Sequence, residues 1–542
     1  MSEASRDRTR LAGLVLCAIF VVMAGRGGYL ALSEAPAAQA VQVAQRQEEV
    51  RADILDRDGE LLATSVKMPS LWVNPSAVWN PDEVYDRLVG QFPELARTNL
   101  RARLSDQNRQ FVWVKRGLTP RQKEAVLALG LEGLGFREEW RRAYPMGSLA
   151  GHLLGQTDVD GNGLAGLERT FNAALKSGEA PLRLTIDVET QTALEAELDA
   201  AAETFSMEGA AAILMETATG EIRAMASWPA FDPNRAKDFP PNHPARLNRA
   251  IGAVYELGSV FKPLTVAAAL DAGVVSRTQK FDVSQPLQAG RFTIRDTHRF
   301  ATSANVTEIL VESSNIGTVH VARALGTKRQ QAFLDLAGLT KRAQIELPGS
   351  EAPILPARLD ELHAATASYG HGLSVSPLAF LTAFAAFGNG GEMLAPTLVR
   401  DPKRRPEPVR LFSGETAEAV TAMMRQSVRR GAGRPADIAG YRVAGKTGTG
   451  EKPIAGGYDK NANISSFAAV FPEDGPQYAL IVTLDNPKAR PGRGATASAS
   501  AAPVAGRIIE RVAPILGVTP RFEDIRPVRA EPDNRSPERS SP

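Results

Sequence analysis

Pro263 fixes where a helix begins at the most informative point of this 542-residue chain. Proline has no N–H and is accepted only in the first helical turn, where that donor lacks a partner anyway. The apolar run at 264–270 continues as a good helix, so the helix starts between Ser259 and Lys262. Ser259 then stands at or near the N-cap, and Lys262, three residues on, projects from the same face. The positive end of the helix favours an alkoxide on Ser259 and disfavours charge on Lys262, easing proton transfer between them. A hydroxyl and an amine so placed form a nucleophile and its base without histidine.

Two later segments supply what such a pair needs. Ser313-Ser314-Asn315 lies between helix-like stretches at 306–312 and 316–325, a junction that presents side chains into a cleft. There Ser313 is suited to relay a proton toward a leaving group, and Asn315 to orient Lys262 and a substrate amide. Lys446-Thr447-Gly448-Thr449 follows the apolar Val443 and Ala444 and reads as an edge strand. An extended peptide can pair along such an edge, and Gly448 permits close backbone approach by a ligand. Lys446 with the hydroxyls of Thr447 and Thr449 suits a terminal carboxylate. The backbone N–H groups of Ser259 and Thr449 are the expected oxyanion donors. Read alone, these segments are a capping serine, a Ser/Asn cap and a glycine-rich turn. Their conjunction, in this order and with the only S-x-x-K of the chain, points to serine acyl transfer.

Composition removes other classes. Net charge is +2, with no basic stripe carrying interleaved aromatics, so nucleic acid is not an expected partner. Cys17 is the only cysteine, which rules out an intramolecular disulfide. The six histidines show no metal-ligand spacing, and neither metal nor cofactor is expected.

Residues 1–33 read as a cytoplasmic tip and a transmembrane anchor. Arg6, Arg8 and Arg10 precede an apolar run at 11–25, and apolar character resumes beyond Arg26 through Leu32. Counted to Leu32, the segment reaches the roughly 20 residues of a span, with Arg26 snorkelling toward the far interface. The basic flank predicts a cytoplasmic N-terminus and an exported body. The competing reading is a cleaved signal peptide ending at Ala38-Gln39-Ala40, against which Arg26 counts.

Residues 34–50 read as a linker. A module at 51–185 opens with a hairpin at 54–62, turned at Asp58-Gly59, and holds none of the three motifs; it reads as non-catalytic. The catalytic unit is placed at 186–518, and a chain starting near 186 is expected to fold and react alone. Its strands at 210–215 and 222–227 come before a helix-rich middle, and others return near 442–450 and 464–485. Strands from both ends therefore meet in one sheet of an α+β fold. A helix at 504–517 closes the unit, and 519–542, rich in Pro, Arg, Glu and Ser, reads as a disordered tail.

At these residues the chain resembles the class B penicillin-binding proteins, the D,D-transpeptidases that cross-link peptidoglycan. The likeness extends to residues 51–63, to 142–147 with 163–168, to Asn248-Arg249-Ala250 ahead of Tyr255-Glu256-Leu257-Gly258, to 369–377 and to Ser466-Phe467. Leu257 stands where that family usually has proline and Val260 where it has threonine. The compact 51–185 module, Ser313-Ser314-Asn315-Ile316-Gly317 and Gly456-Gly457-Tyr458 are most similar to the division-specific (septal) enzyme. The resemblance implies an α/β (α+β) transpeptidase domain like that of serine β-lactamases, with an antiparallel sheet flanked by helices, on an N-terminal pedestal. It implies that Ser259 attacks the D-Ala-D-Ala bond of a stem peptide, that Lys262 is the base, and that an amine of a second stem resolves the acyl-enzyme. It further implies β-lactam inhibition, an inner-membrane anchor with a periplasmic catalytic domain, and partners that include a SEDS-type glycosyltransferase and other divisome proteins. An elongation-specific transpeptidase, a D,D-carboxypeptidase and a membrane-tethered scaffold or β-lactam sensor stay open. A class A β-lactamase fits poorly, because no E-x-x-L-N segment lies between Asn315 and Lys446.

Overall fold

The computed structural model describes residues 18, 20–26, 50–289, 292–401, 403, 407–454, 457–488 and 495–522. Residues 18 and 20–26 are helical. Among the described residues no helix is long and apolar enough to cross a membrane. Most of the anchor expected at 1–33, the linker at 34–49 and the tail beyond 522 lie outside the described residues.

The hairpin expected at 54–62 forms. Strands β1 (Ile54–Leu55) and β2 (Leu61–Val73) are antiparallel, and Asp56 Oδ1 accepts the backbone N–H groups of Asp58, Gly59 and Glu60, each at 2.8 Å. The long β2 also pairs with β3 (Val112–Lys115) and β4 (Leu134–Ala143), while β1 takes β5 (Leu182–Arg183) in parallel. Three short helices between these strands bury Val84, Leu88, Leu100, Leu104 and Val126 against Leu71 and Val73. Arg51 and Arg142 both bond the fully buried Glu168, each through Nε at 2.6 Å. One ion triad thus joins three segments distant in sequence, and removing one member would strand a buried charge.

The second sheet is antiparallel throughout, in the order β8-β9-β10-β6-β7: β8 is Ala444–Ile454, β9 Gly457–Phe471, β10 Tyr478–Asp485, β6 Gly209–Glu216 and β7 Ile222–Trp228. Strands from both ends of the unit meet, as expected, and the return contains three strands rather than two. Their apolar runs are continuous because helices cover both faces. Ala212, Leu214, Leu480 and Val482 face α1 (Val188–Phe205) and α5 (Ala501–Ile515). Ala211, Ile213, Ala479 and Ile481 face the other core, which includes Phe261, Phe380 and Phe384.

That second core also contains Ile54, Leu62, Leu153, Leu154 and Leu167. The boundary expected near 186 therefore crosses shared apolar packing. The backbone continues across it too: Arg57 N–H donates to Ile186 O at 2.9 Å.

Candidate active site

The helix that Pro263 dictates begins as expected. Gly258–Phe261 form a 3-10 turn that runs directly into α2 (Lys262–Asp271). Two neighbours clamp this turn. On one side Gly258 N–H donates to Gly370 O at 3.1 Å, and Tyr255 and Val375 exchange backbone bonds at 3.0 and 3.1 Å. On the other lies β8, the edge of its sheet. A Cβ on Gly448 would fall 2.2 Å from Leu257 O, and one on Gly450 would fall 1.9 Å from Glu256 O. Glycine at these positions lets two backbones touch. Gly448 is expected to admit a ligand; what approaches it is the backbone of the turn that carries Ser259. Leu257 and Val260, the departures from the family pattern, are wholly buried in this contact.

Lys262 is fully buried, and its Nζ donates to Ser313 O at 2.5 Å, Ser313 Oγ at 3.1 Å and Asn315 Oδ1 at 2.8 Å. Ser313 joins α3 (Val306–Val311) to α4 (Asn315–Leu325) and holds φ +61°, a left-handed conformation that costs a non-glycine residue about 1–2 kcal/mol. Lys446, also fully buried, donates to Ser313 Oγ at 2.9 Å and Thr447 O at 3.2 Å. Lys446 was expected to meet a substrate carboxylate; in the structure its amine lies inside, against Ser313. Thr447 is buried beside it, whereas Thr449 is exposed and its Oγ1 accepts Ala497 N–H at 3.1 Å. The three motifs therefore do converge. Among the described residues Ser259 Oγ makes no hydrogen bond to protein.

Burial drives the charge state here. Desolvation holds the Lys262 amine well below its ordinary pKa, the neighbouring Lys446 pushes it further down, and Asp296 opposes both. Burial lowers Lys446 to about 7. A lysine without its proton is a base at working pH.

Sequence reasoning missed Asp296. Its carboxylate accepts Ser314 Oγ at 2.7 Å, Asn315 N–H at 2.5 Å and Ile316 N–H at 3.0 Å, capping α4. Asn315 Nδ2 donates to Arg295 O at 2.9 Å, which aims its Oδ1 at Lys262. An aspartate 18 residues before Ser314, in a stretch of short strands and turns, carries no local signal of this role. His371 and Glu256, which line the clamp, were read only as parts of family-like segments.

The penicillin-binding protein transpeptidase domain matches residues 210–510, and the penicillin-binding protein dimerisation domain matches 47–180. The chain belongs to the penicillin-binding protein transpeptidase family. Among curated relatives of this penicillin-binding protein, a probable peptidoglycan D,D-transpeptidase FtsI of Caulobacter vibrioides is 41% identical over 91% of this chain and 86% of its own. The peptidoglycan D,D-transpeptidase FtsI of Escherichia coli is 31% identical over 87% and 84%. A crystal structure of penicillin-binding protein 3 of Mycobacterium tuberculosis, complexed with aztreonam, superposes with a TM-score of 0.69 at 24% identity, covering 88% of this chain and 98% of that one. That likeness is one of fold.

Proposed function

We propose that this penicillin-binding protein is a peptidoglycan D,D-transpeptidase that cross-links stem peptides in septal wall synthesis and is acylated by β-lactams. The observation that carries this is the convergence of Lys262, Ser313, Asn315 and Lys446 in one buried hydrogen-bonded set beside Ser259, at the free edge of β8. The septal assignment rests on the similarity to the two FtsI proteins.

A stem peptide lies along β8. Lys262, neutral through burial, takes the proton of Ser259 as its oxygen attacks the carbonyl of the penultimate D-alanine. The N–H groups of Ser259 and Thr449 receive the oxyanion. Ser313, bonded to both amines, hands a proton to the departing D-alanine. Asn315 holds Lys262 in place, and Thr447, Gly448 and Thr449 supply the wall of the strand subsite. An amine of a second stem then displaces Ser259. Residues 1–33 anchor the protein in the inner membrane with the catalytic unit in the periplasm. Residues 51–185 form the pedestal that meets a SEDS-type polymerase and other division proteins.

Intact-mass analysis after treatment with a fluorescent penicillin tests the reading. A stable adduct is expected on the peptide carrying Ser259 and none in Ser259→Ala. An adduct that persists on another serine in that variant overturns it.

A further inference from the structure

Beside the nucleophile lies a group of acids and phenols that acylation does not use. Tyr458, from β9, donates its hydroxyl to Glu256 Oε1 at 3.1 Å, three residues ahead of Ser259. Glu256 is 5% exposed, and its second oxygen, Oε2, is buried without a partner. Glu451 follows Gly450, whose backbone touches Glu256 O, and Glu451 pushes the Glu256 carboxyl up in addition to the larger effect of burial. Tyr369 is raised to about 12 by burial and by the charge of Glu256. Its ring lies 5.1 Å from His371, whose Nδ1 is also buried without a partner. His371 is held below its ordinary value by burial; Glu451 opposes this and Lys262 reinforces it, so His371 lies within electrostatic range of both. Among the described residues no cation forms an ion pair with Glu256 or Glu451.

The buried Glu256 carboxylate, the exposed Glu451 and two phenols, with no ion-paired cation among the described residues, make an electronegative patch three residues from Ser259. Such a patch is complementary to a primary ammonium ion. The active-site lysines leave this need unmet: they supply a base for the serine proton, whereas an amine acceptor arrives carrying an extra proton of its own.

We propose that Glu256, reached through the Tyr458 hydroxyl, is the acceptor-side subsite, binding the ammonium of the second stem peptide and removing its first proton. The proposal rests on the transpeptidase reading above. The ammonium donates a proton to Tyr458 Oη as the Tyr458 proton passes to Glu256 Oε1, which becomes a carboxylic acid. The neutral amine then forms the C–N bond to the acyl carbon. The bond from that carbon to Ser259 Oγ breaks, and the second amine proton reaches Ser259 Oγ through Lys262. Glu256 afterwards returns its proton to water. Burial makes this carboxylate more basic than an exposed one, as a proton acceptor requires. Tyr458, 39% exposed, is the member of the relay that an incoming amine can touch.

The test uses the purified full-length protein in detergent, acylated by a thioester analogue of the donor stem. Two acceptors then compete for the acyl-enzyme: a soluble stem peptide with a free side-chain amine, and hydroxylamine. Hydroxylamine is uncharged near neutral pH and needs no proton removed before it attacks. In Tyr458→Phe and in Glu256→Gln the ratio of stem-amine product to hydroxylamine product should fall about a hundredfold or more, the range of a lost general base. A variant that merely loosens the fold slows both acceptors and leaves the ratio at the wild-type value. That unchanged ratio overturns the proposal. A wild-type protein that forms no acyl-enzyme at all overturns the transpeptidase reading, and this one with it.

Discussion

Lys262 and Lys446 aim their amines at one hydroxyl: Ser313 Oγ accepts from the first at 3.1 Å and from the second at 2.9 Å. Both amines are fully buried, and two ammonium ions so close in a medium of low dielectric repel strongly. Burial and this repulsion hold Lys262 down, so the pair carries at most part of its full charge in the resting site. A neutral amine beside Ser259 is what acylation needs.

Lys262→Arg tests that directly. Arginine keeps the charge and does not give up its proton. Acylation by a fluorescent penicillin should fall by about a hundredfold or more, with the far-ultraviolet circular dichroism unchanged. In the wild type the acylation rate should rise with pH and level off well below pH 10.5, because the Lys262 pKa is depressed. Near-normal acylation by Lys262→Arg would remove Lys262 from the role of base.

Lys446 gives stability a pH slope. Its folded pKa is about 7 against 10.5 for a free lysine. Below pH 7 both states bind the proton, and between the two values only the unfolded state does, so stability rises with pH across that window. Lys446→Met removes this contribution. The gain in melting temperature between pH 7 and pH 10 should be smaller in Lys446→Met than in the wild type, read by calorimetry. Equal gains would mean that Lys446 keeps its proton when buried.

Asp296→Ala strips the acceptor from two backbone N–H groups and the Ser314 hydroxyl. The loss of the cap should cost about 1–2 kcal/mol in urea unfolding. Acylation should fall as well, because Asn315 then loses its hold on Lys262. Asp296→Asn retains one acceptor oxygen and should lie between. Acylation at the wild-type rate in Asp296→Ala would show that the cap does not position Asn315.

Gly448→Ala and Gly450→Ala place a methyl group 2.2 and 1.9 Å from the backbone oxygens of Leu257 and Glu256. The strand must shift, at a cost of about 1–3 kcal/mol. Since the shift moves β8 off Ser259, acylation should drop in both. Gly457→Ala meets nothing within 4 Å and should behave as the wild type. Equal acylation in all three would contradict the close contact.

Removing residues 1–185 takes Ile54, Leu62, Leu153, Leu154 and Leu167 out of a core they share with Ile213 and Ile222. Exposing several large apolar side chains, each worth about 1.5–3 kcal/mol when buried, should leave the remaining chain largely insoluble. Soluble yield and penicillin labelling measure this. A soluble, reactive chain starting at 186 would restore the division into independently folding parts. On this packing residues on both sides of 186 share one apolar core.

Much of the site was legible in the amino-acid sequence because it rests on local chemistry. Pro263 sets a helix start from its own geometry, Asp58-Gly59 sets a turn, and the apolar runs at 210–215 and 222–227 set paired strands with two covered faces. The order of Ser259, Ser313 and Lys446 named the chemistry before any distance was known. The tertiary structure alone decided what depends on residues far apart in the chain. It turned Lys446 inward onto Ser313, brought Gly448 and Gly450 against the turn that carries Ser259, set Asp296 under Asn315 and leaned Tyr458 on Glu256. Propensity and periodicity report on a residue and its near neighbours. Burial, and with it the proton affinity of two lysines and a glutamate, is fixed by whatever the rest of the chain lays over them.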